Sequence, residues 1–345
     1  LLAQTINFLD QDELDKLVKT INHIGKDFKL VVYHWDDLSN ESIDKAFNKD
    51  RSDDRKDWLL NFNDQILDLG QLSVTFTDFI NCDLIQFSME DNHRSLPHLM
   101  DGVKPSQRKI LYCAFKRNLV NEIKVAQLAG YVSENGAYHH GEASLQGAIV
   151  NMAQDFVGSN NINLLQPVGQ FGTRIQGGKD AAQSRYIHTL LSDITTKIFD
   201  KNDNPLLKYN DDDGVLVEPV FYVPTLPMLL VNGSSGIGTG WSTEIPSFNP
   251  SDLIENMRLA MEGKPMKTMI PYYKGFKGKI IPEDDNLTFK TCGIYEDKGN
   301  RLVITELPIG VWTQNYKEHL ESLQNDDYIR YYNSYCTDVD INFEI

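Results

Sequence analysis

Apolar residues recur at helical spacing in three consecutive segments in the middle of the chain. PSQRKILYCAFKRNL (105–119) places Pro105 at a first helical position, KVAQLAGYVSE (124–134) stops at Asn135-Gly136, and HGEASLQGAIVNMAQDFV (140–157) carries one apolar stripe. These patterns predict three short helices joined by tight turns. Such an arrangement resembles a helix-turn-helix core.

The segment that follows predicts a glycine-rich hairpin and then a fourth helix. INLLQPVGQFGTRIQGGKD (162–180) has two strand-like pieces and a loop, as a hairpin wing would. Asp180 is a good N-cap residue, so the pattern predicts a helix from there. Its apolar face would consist of Ile187, Leu190, Leu191, Ile194 and Ile198.

The two ends of the chain differ from this middle part. Residues 1–80 predict a polar helix over about Asp12–Ile24, a strand at 29–35 and a charged helix over about Ile43–Phe62. Residues 215–345 have short Val, Ile and Tyr runs (VFYV, MLLV, RLVIT) between prolines and glycines, with helices after Asn249-Pro250 and near Thr313. The acidic stretches at 200–213 and 282–286 suggest linkers or loop tips. The fold class predicted is α+β with several domains.

Composition narrows the class of protein. The chain has 345 residues, is 41% hydrophobic, and carries 33 basic against 49 acidic residues, for a net charge of −16. No apolar run reaches the roughly 20 residues of a membrane span, and the first residues are acidic where a signal peptide would be basic. Cys82, Cys113, Cys292 and Cys336 are far apart, which predicts neither a zinc site nor disulfides. We expect a folded, soluble protein in a reducing compartment.

Positive charge is concentrated in one stretch of this acidic chain. Between residues 94 and 124 there are seven basic residues and only two acidic ones, so a basic face on an acidic body remains compatible with nucleic-acid binding. The basic residues are Arg94, Lys104, Arg108, Lys109, Lys116, Arg117 and Lys124.

Two glycine-rich strings do not match nucleotide-binding motifs. GSSGIGTG (233–240) lacks the GxGxxG spacing and no helical pattern follows it. GTRIQGGKD (172–180) is one residue too long for a P-loop, and Asp180 stands where Ser or Thr is required. We therefore reject a nucleotide-using enzyme built on either loop.

The residues that carry a chemical signal are an Arg-Tyr pair and a His-His pair. A phenol has a reference pKa of about 10, so a tyrosyl nucleophile needs a base or nearby cations at neutral pH. His139 or His140 could serve as that base, and Arg185 and Arg94 could hold phosphate oxygens around attack by Tyr186. Taken singly, Tyr186 could equally be a core aromatic, the histidines satisfied turn residues, and the bases a solvated face.

Four long strings resemble the DNA-breakage core of eukaryotic-type (type IIA) DNA topoisomerase II. They are DNHRSLPHLMDGVKPSQRKILY (91–112), KVAQLAGYVSENGAYHHGEASL (124–145), AQDFVGSNNINLLQPVGQFGTRIQGGKDAAQSRYIHT (153–189) and LPMLLVNGSSGIGTGWSTEIPSFNP (226–250). The likeness runs from about residue 28 to the end of the chain.

The resemblance implies a role for each matching residue. Tyr186 in RYI would be the DNA-cleaving tyrosine that forms a 5′-phosphotyrosyl bond, and Arg185 the transition-state arginine. His140, with His139 beside it, matches the YHHGE element near the scissile phosphate. The implied DNA-binding residues are Arg94, Lys104, Arg108, Lys109, Lys124 and Ile237, of which Ile237 would wedge between base pairs and bend the duplex.

The resemblance also implies a domain order and partners. Residues 1–82 would lead into the core from the end of a TOPRIM region, 83–205 would form a winged-helix cleavage domain, and 206–345 a tower domain that is incomplete at its C-terminus. Mg²⁺ and ATP would serve the full-length enzyme through regions that this chain lacks, because the EGDSA-type string and the ATPase module are missing. No metal ligand is expected in this chain: Asp10 and Asp12 give a DxD without the following His-Asp-Gly.

The expected partners are double-stranded DNA and, in the full enzyme, a second copy of the chain. No membrane partner is expected. The expected location is the nucleus of a eukaryotic cell, or the host cytoplasm or virus factory for a viral protein. The chain reads as a segment of a longer polypeptide that has little cleavage activity alone. The alternative function is a non-catalytic winged-helix DNA-binding or scaffold module in which Tyr186 is merely packed.

Overall fold

The computed structural model describes Lys16 and residues 31–63, 65–68, 73–283 and 287–345. Two compact units are present: residues up to Asn92 together with Gly238–Trp241, and His93–Ile237 together with Ser242–Ile345. Except for Lys16, the helix predicted over Asp12–Ile24 lies outside the described residues, as does the Asp10 and Asp12 pair. In the described ranges no helix is both long enough and apolar enough to cross a membrane.

The first unit is a small mixed structure. A helical turn (Phe76–Asp78) and a π-helical stretch (Phe79–Leu84) lead into its last helix, which continues into the second unit. Its parallel strands are β1 (Val32–His34) and β2 (Ser73–Thr75), and its helices are α1 (Ser39–Phe47), α2 (Ser52–Leu60) and α3 (Ile85–Ser95). Its apolar core includes the buried side chains of Trp58, Leu59, Ile80 and Ile85.

The single charged helix predicted over Ile43–Phe62 is two helices. The chain leaves the helical region at Asn48, where ψ is 122°, and α2 begins four residues later. Arg51 in this break forms ion pairs with Glu41, Asp44 and Asp54 of the flanking helices. The sequence pattern did not show the break because the charged residues continue across it.

The three central helices of the second unit form where the pattern predicted them. They are α4 (Pro105–Lys116), α5 (Val125–Asn135) and α6 (Glu142–Ala153). Pro105 opens α4, and the backbone N–H of Lys104 donates to the side-chain oxygen of Gln107, 2.9 Å away, which caps the helix. Their apolar faces form one buried core, which includes Ile110, Leu111, Leu128, Leu145 and Ile149.

A three-stranded antiparallel sheet, in the order β3-β5-β4, packs against this core. Its strands are β3 (Ile123–Lys124), β4 (Leu165–Val168) and β5 (His188–Leu191). The helix predicted from Asp180 is therefore wrong. Ile187, Thr189 and Leu191 are buried in the alternation of a strand, and the helical spacing of the apolar residues was coincidental.

The hairpin predicted within 162–180 does not form, because β4 pairs with β5. The glycine-rich loop 172–180 packs against Trp312 instead. Asp180 accepts hydrogen bonds from the backbone and the hydroxyl of Thr173, so it caps the loop rather than a helix. Gly177 has φ +62°, and a Cβ there would lie 2.3 Å from the ring of Trp312. Only glycine satisfies both conditions.

The acidic stretch at 200–213 was predicted to be a linker or loop tip, but it folds into regular secondary structure. Residues Lys201–Leu206 form a 3₁₀ helix, and β6 (Tyr209–Asp212) pairs with β7 (Val215–Pro219). Two short helices, α7 (Thr195–Ile198) and α8 (Met228–Val231), flank this part. The run MLLV is thus a helix, and VFYV (220–223) lies outside any strand.

The remaining elements make a mixed α/β arrangement. Two antiparallel hairpins are β8 (Ser234–Ile237) with β9 (Ser242–Ile245) and β10 (Lys279–Pro282) with β11 (Phe289–Cys292). A four-stranded sheet has the order β12 (Ile294–Asp297), β13 (Leu302–Glu306), β15 (Phe343–Glu344), β14 (Asn333–Ser334). The helices are α9 (Pro250–Met261), capped by the Asn249 side chain, and α10 (Thr313–Asn325). Both helices confirm the pattern-based predictions.

Candidate functional site

Tyr186 lies on an exposed turn that is held at both ends. Its side chain is 67% exposed, so it is not a core aromatic. The first backbone N–H groups of α5 hold the turn: Ala126 donates to the carbonyl of Ser184 (3.1 Å) and Val125 to that of Ile187 (3.0 Å). Ile187 is buried at 1% exposure and anchors the following strand. The phenol therefore projects from a rigid backbone.

The guanidinium carbon of Arg185 lies 5.0 Å from the centre of the Tyr186 ring. Both side chains are exposed. A cation over an aromatic face is attracted by the electron density of the ring. The pair therefore presents a phenol oxygen and a five-donor guanidinium on one turn, which suits the binding of phosphate oxygens.

A hydrogen-bond chain ties the same turn to helix α6. The hydroxyl of Ser184 donates to the side-chain oxygen of Gln146 (2.7 Å), and the amide of Gln146 donates to Glu142 (2.7 Å). Glu142 stands two residues after His140, at the first turn of α6. The histidine segment and the tyrosine turn are thus connected through one helix end.

His139 and His140 follow a backbone reversal after α5. Ala137 has φ +47°, a left-handed conformation unusual for a residue with a Cβ. The ring of His140 packs edge-on against Tyr138, with the ring centres 5.4 Å apart. Both imidazoles are exposed.

The charge of Arg94 acts on this histidine segment. Arg94 is in the last turn of α3. Burial raises the pKa of the Tyr138 phenol, and the positive charge of Arg94 partly offsets that rise. Arg94 therefore lies within electrostatic range of the Tyr138 phenol.

Asp212 is a site residue that the sequence did not indicate. Its carboxylate lies 3.0 Å from Nε2 of His139. A carboxylate on one ring nitrogen fixes the orientation and tautomer of an imidazole. Because Asp212 and His139 are 73 positions apart, no local spacing pointed to this contact.

Lys104 connects the start of α4 to the β8–β9 hairpin. Its ammonium donates to the carbonyl of Ser235 (2.9 Å) in β8. Burial lowers the pKa of Lys104. Lys104 also lines a polar cavity of about 430 Å³ between α4, α6 and β8.

Ile237 ends strand β8 and is 81% exposed. The preceding Gly236 is buried, and a Cβ there would lie 2.2 Å from the carbonyl of Ser95. The hairpin base is thus tightly packed, while its tip presents an exposed apolar side chain. GSSGIGTG is therefore a hairpin tip, and it is not followed by a helix as a dinucleotide loop would be.

The prediction that Arg108 contacts DNA is wrong, because its side chain is only 2% exposed. Its guanidinium bonds Asp101 through Nε (2.6 Å) and Nη2 (3.0 Å) and also donates to the carbonyl of Val103. Lys109 is likewise engaged: its ammonium donates to Glu218 (2.8 Å) and to the carbonyl of Gly136 (2.7 Å). We exclude both residues from the set of candidate DNA contacts. Lys124 stays in that set, exposed at the start of α5 and opposite His188 in the sheet.

The predicted site residues around Tyr186 and those around His140 form two groups, and within the described parts of the chain the two groups do not touch directly. Arg185 contacts Tyr186, and Arg94 acts on the segment of His140. Among the described residues, no hydrogen bond or ring contact links Tyr186 to either histidine. Gln146 and Ser184, which connect the two groups, carried no sequence signal because they are 38 positions apart.

Within the described ranges, no group of three or more His, Cys, Asp or Glu side chains could hold a metal ion. Two carboxylates of this part each bond one side chain: Glu142 bonds Gln146, and Asp212 bonds His139. These residues therefore do not fit a metal centre.

Two family models match consecutive parts of the chain. The model of the DNA gyrase/topoisomerase IV family matches residues 94–345. The model of the C-terminal associated domain of TOPRIM matches residues 10–92. The junction of the two matches falls at the chain division after Asn92, whereas Gly238–Trp241 of the first unit lies within the second match.

Individual relatives agree with these matches. The chain is 53% identical over 301 residues to a probable DNA topoisomerase 2 of Dictyostelium discoideum, covering 85% of this chain and 20% of the relative. It is 48% identical over 335 residues to DNA topoisomerase 2 of Drosophila melanogaster, covering 91% and 23%. The chain thus spans about a fifth to a quarter of the length of these relatives.

A solved structure has the same fold. The crystal structure of the Plasmodium falciparum topoisomerase II DNA-binding, cleavage and re-ligation domain aligns with a TM-score of 0.81 at 49% identity, covering 91% of this chain and 44% of that one. The tyrosine turn, the histidine segment and the hairpin tip all lie within the part of this chain that the DNA gyrase/topoisomerase IV model matches. The chain therefore belongs to the type IIA DNA topoisomerase family.

Proposed function

We propose that this chain carries the DNA-cleaving centre of a type IIA topoisomerase, with Tyr186 as the nucleophile. The phenol oxygen attacks a backbone phosphorus, a 5′-phosphotyrosyl bond forms, and the 3′ oxygen leaves as a hydroxyl. The observation that carries the proposal is the 67% exposure of Tyr186 on a turn held by two backbone hydrogen bonds from α5. A packed tyrosine of a mere DNA-binding module would not need this exposure.

Each neighbouring side chain has a role in this scheme. Arg185 and Arg94 bind the equatorial phosphate oxygens as negative charge builds on them. His140, or His139 oriented by Asp212, accepts the phenol proton and returns a proton to the leaving 3′ oxygen. Lys104 and Lys124 hold flanking phosphates.

The exposed Ile237 at the end of β8 inserts between base pairs and bends the cleaved duplex. An apolar wedge offsets the cost of unstacking by letting the bent duplex contact more protein surface. On this proposal residues 83–205 form a winged-helix domain and 206–345 a tower. The helices α4, α5 and α6 with the sheet β3-β5-β4 support the first of these assignments.

The whole enzyme, as we propose it, is a homodimer that cuts both strands, passes a second duplex through the gap and reseals the break. The phosphotyrosyl bond conserves the energy of the phosphodiester, so resealing needs no new nucleotide. Mg²⁺ and ATP act through other parts of that enzyme. A nuclear location follows for a cellular eukaryotic enzyme.

The test is covalent capture of DNA by the complete enzyme that carries this chain. The enzyme is incubated with supercoiled DNA and Mg²⁺, trapped with detergent, and the linked peptide is mapped. We expect an adduct on Tyr186, its loss in Tyr186→Phe, and unchanged DNA affinity in that variant. Tyr328→Phe, at an 80% exposed tyrosine far along the chain, is the matched control and keeps full capture.

Two outcomes would overturn the assignment. Capture that survives in Tyr186→Phe would exclude Tyr186 as the nucleophile. Tight DNA binding without any adduct in the wild-type enzyme would leave a non-catalytic DNA-binding scaffold.

A further inference from the structure

A cavity of about 870 Å³ opens at the C-terminal end of helix α4. Its walls come from α4, from the segment around α7 and the 3₁₀ helix, and from the strand and loop at Tyr209 and Tyr222. The volume falls in the range of roughly 300–1,000 Å³ typical of small-molecule sites. Every residue that lines it belongs to the second unit.

The cavity is separate from the cleavage site. Lys104 caps the start of α4, and Lys116 at the last residue of the helix lines the cavity. Twelve residues at about 1.5 Å each place these two ends about 18 Å apart. None of the residues that line the cavity belongs to the tyrosine turn or to the histidine segment.

One wall of the cavity is a cluster of three aromatic rings. The ring of Tyr222 lies edge-on to Phe115 (5.8 Å between centres) and to Phe199 (5.5 Å). Leu191 adds an aliphatic surface beside them. Such a wall suits the face or edge of a planar ring.

Tyr222 also brings an unused hydrogen-bond group to the cavity. Its side chain is only 6% exposed, and across the described parts of the chain its hydroxyl has no hydrogen-bond partner. The hydroxyls of Tyr209 and Tyr112, in contrast, donate to the carbonyls of Asn204 (3.2 Å) and Leu216 (3.4 Å). Burial strongly raises the pKa of Tyr222, so the phenol stays a neutral donor. The hydroxyl is not among the fully enclosed polar atoms of the described residues that lack a partner, so it can donate to a ligand oxygen that enters the cavity.

The mouth of the cavity is positively charged. Lys116, Lys197 and Lys201 line it and are exposed, and within the described residues none of them forms an ion pair. The one carboxylate in the lining, Asp200, accepts a hydrogen bond from the backbone of Asn202. The charge balance favours an anionic ligand.

We propose that this cavity binds a nucleoside phosphate. The base lies against the Phe115 and Tyr222 wall, and the phosphate is held by the lysines and the Tyr222 hydroxyl. A nucleoside phosphate joins a planar ring and a phosphate in one small molecule, which matches an aromatic wall beside a cationic mouth. The same chemistry is offered by a free nucleotide and by the unpaired, phosphorylated end of a DNA strand.

The test is direct titration of the full chain with AMP by calorimetry. We expect saturable binding of AMP, and at least tenfold weaker binding of adenosine, which lacks the phosphate, and of inorganic phosphate, which lacks the ring. Tyr222→Phe removes only the donor and is expected to weaken AMP binding several-fold at unchanged thermal stability. Lys197→Gln with Lys201→Gln is expected to weaken it at least tenfold.

The matched control is Lys279→Gln with Lys290→Gln, two exposed lysines on the β10–β11 hairpin, and it is expected to leave AMP binding unchanged. A 5′-phosphorylated single-stranded tetranucleotide separates the two sources: tighter binding than AMP identifies a strand end, and weaker binding a free nucleotide. Absence of saturable AMP binding overturns the proposal. Equal losses in the variant and control lysine pairs also overturn it, because the lysines would then act as a nonspecific charged surface. The same titration on the Tyr186→Phe variant should give the wild-type AMP affinity, so that failure of the cleavage proposal and failure of the AMP proposal can be told apart.

Discussion

The hydroxyl of Ser184 donates a hydrogen bond of 2.7 Å to the side-chain oxygen of Gln146, and this bond joins the tyrosine turn to helix α6. Ser184 stands two residues before Tyr186, and Gln146 one helical turn after Glu142. The side-chain bond supplements the backbone bonds from α5, so the turn is supported by two helices. We therefore treat Gln146 as a positioning residue for the phenol.

Gln146→Ala is expected to slow DNA cleavage while leaving DNA affinity unchanged. The substitution frees Ser184 from α6, and displacement of a reacting atom by about 1 Å can cost about 100-fold in rate. The stability cost should be only about 1 kcal/mol, the usual net value of one hydrogen bond. The measurement is the single-turnover rate of covalent capture beside a DNA titration.

Gln127→Ala, at an exposed glutamine on α5, is the control and should cleave at the wild-type rate. Ser184→Ala should reproduce the loss, and the double variant with Gln146→Ala should be no worse than either single variant, since both remove one interaction. Additive losses would mean that the two residues do not act through their shared bond.

Arg108→Leu is expected to destabilise the fold by about 3–5 kcal/mol, the usual cost of breaking a buried ion pair. Asp101 is fully buried, and among the described residues its partners besides Arg108 are the backbone N–H groups of Val103 and Tyr222. Without the guanidinium its charge has no counter-ion in the core. Urea unfolding of the full chain measures the change.

Arg258→Leu, at an exposed arginine on α9, is the matched control and should change the free energy of unfolding by less than about 0.5 kcal/mol. If Arg108→Leu kept its stability but lost DNA affinity, the residue would be a DNA contact after all.

Arg108 also shows where sequence reasoning reached its limit. Local signals predicted α4, because Pro105, the cap and the apolar spacing all lie within one segment. The same reasoning placed Arg108 among surface bases, because nothing local reveals that Asp101 folds back to pair with it. It also made His188–Leu191 a helix, because the partners that make it a strand, β3 and β4, lie 20 or more residues away. Asp212 could not be found for the same reason, whereas the motif residues Tyr186 and Ile237 were recognised from their strings and are exposed in the structure.

Ile237→Ala is expected to reduce DNA bending without changing protein stability. The side chain is 81% exposed, so its truncation should alter the free energy of unfolding by less than about 0.5 kcal/mol. Loss of the wedge removes the group that separates base pairs. The angle is measured by energy transfer between dyes at the two ends of a short duplex.

Ile281→Ala, at a half-exposed strand isoleucine, is the control and should bend DNA as the wild type does. Gly236→Ala should instead destabilise the hairpin, since its Cβ would lie 2.2 Å from the carbonyl of Ser95. Normal bending by Ile237→Ala would remove the wedge role from this residue.

The alkaline pH dependence of DNA binding should report on Lys104. Burial lowers the pKa of its ammonium, so the folded protein releases this proton at lower pH than the unfolded chain does. Between the two pKa values the unfolded chain binds more protons, and the free energy of unfolding therefore rises with pH. DNA binding changes in the opposite sense, because a neutral amine no longer attracts phosphate. The wild-type protein should lose affinity as pH rises through the folded pKa, while Lys104→Arg, whose guanidinium stays charged, should not.

The salt dependence of the DNA affinity distinguishes this contact from a general effect of pH. Losing one phosphate contact lowers the slope of log affinity against log salt by about 0.9 on duplex DNA. We expect that change in the wild-type protein on raising the pH, none in Lys104→Arg, and the lower slope at every pH in Lys104→Gln. If the wild type and Lys104→Arg weakened in parallel, the Lys104 ammonium would not be a phosphate contact, and its bond to Ser235 would serve only to hold the hairpin.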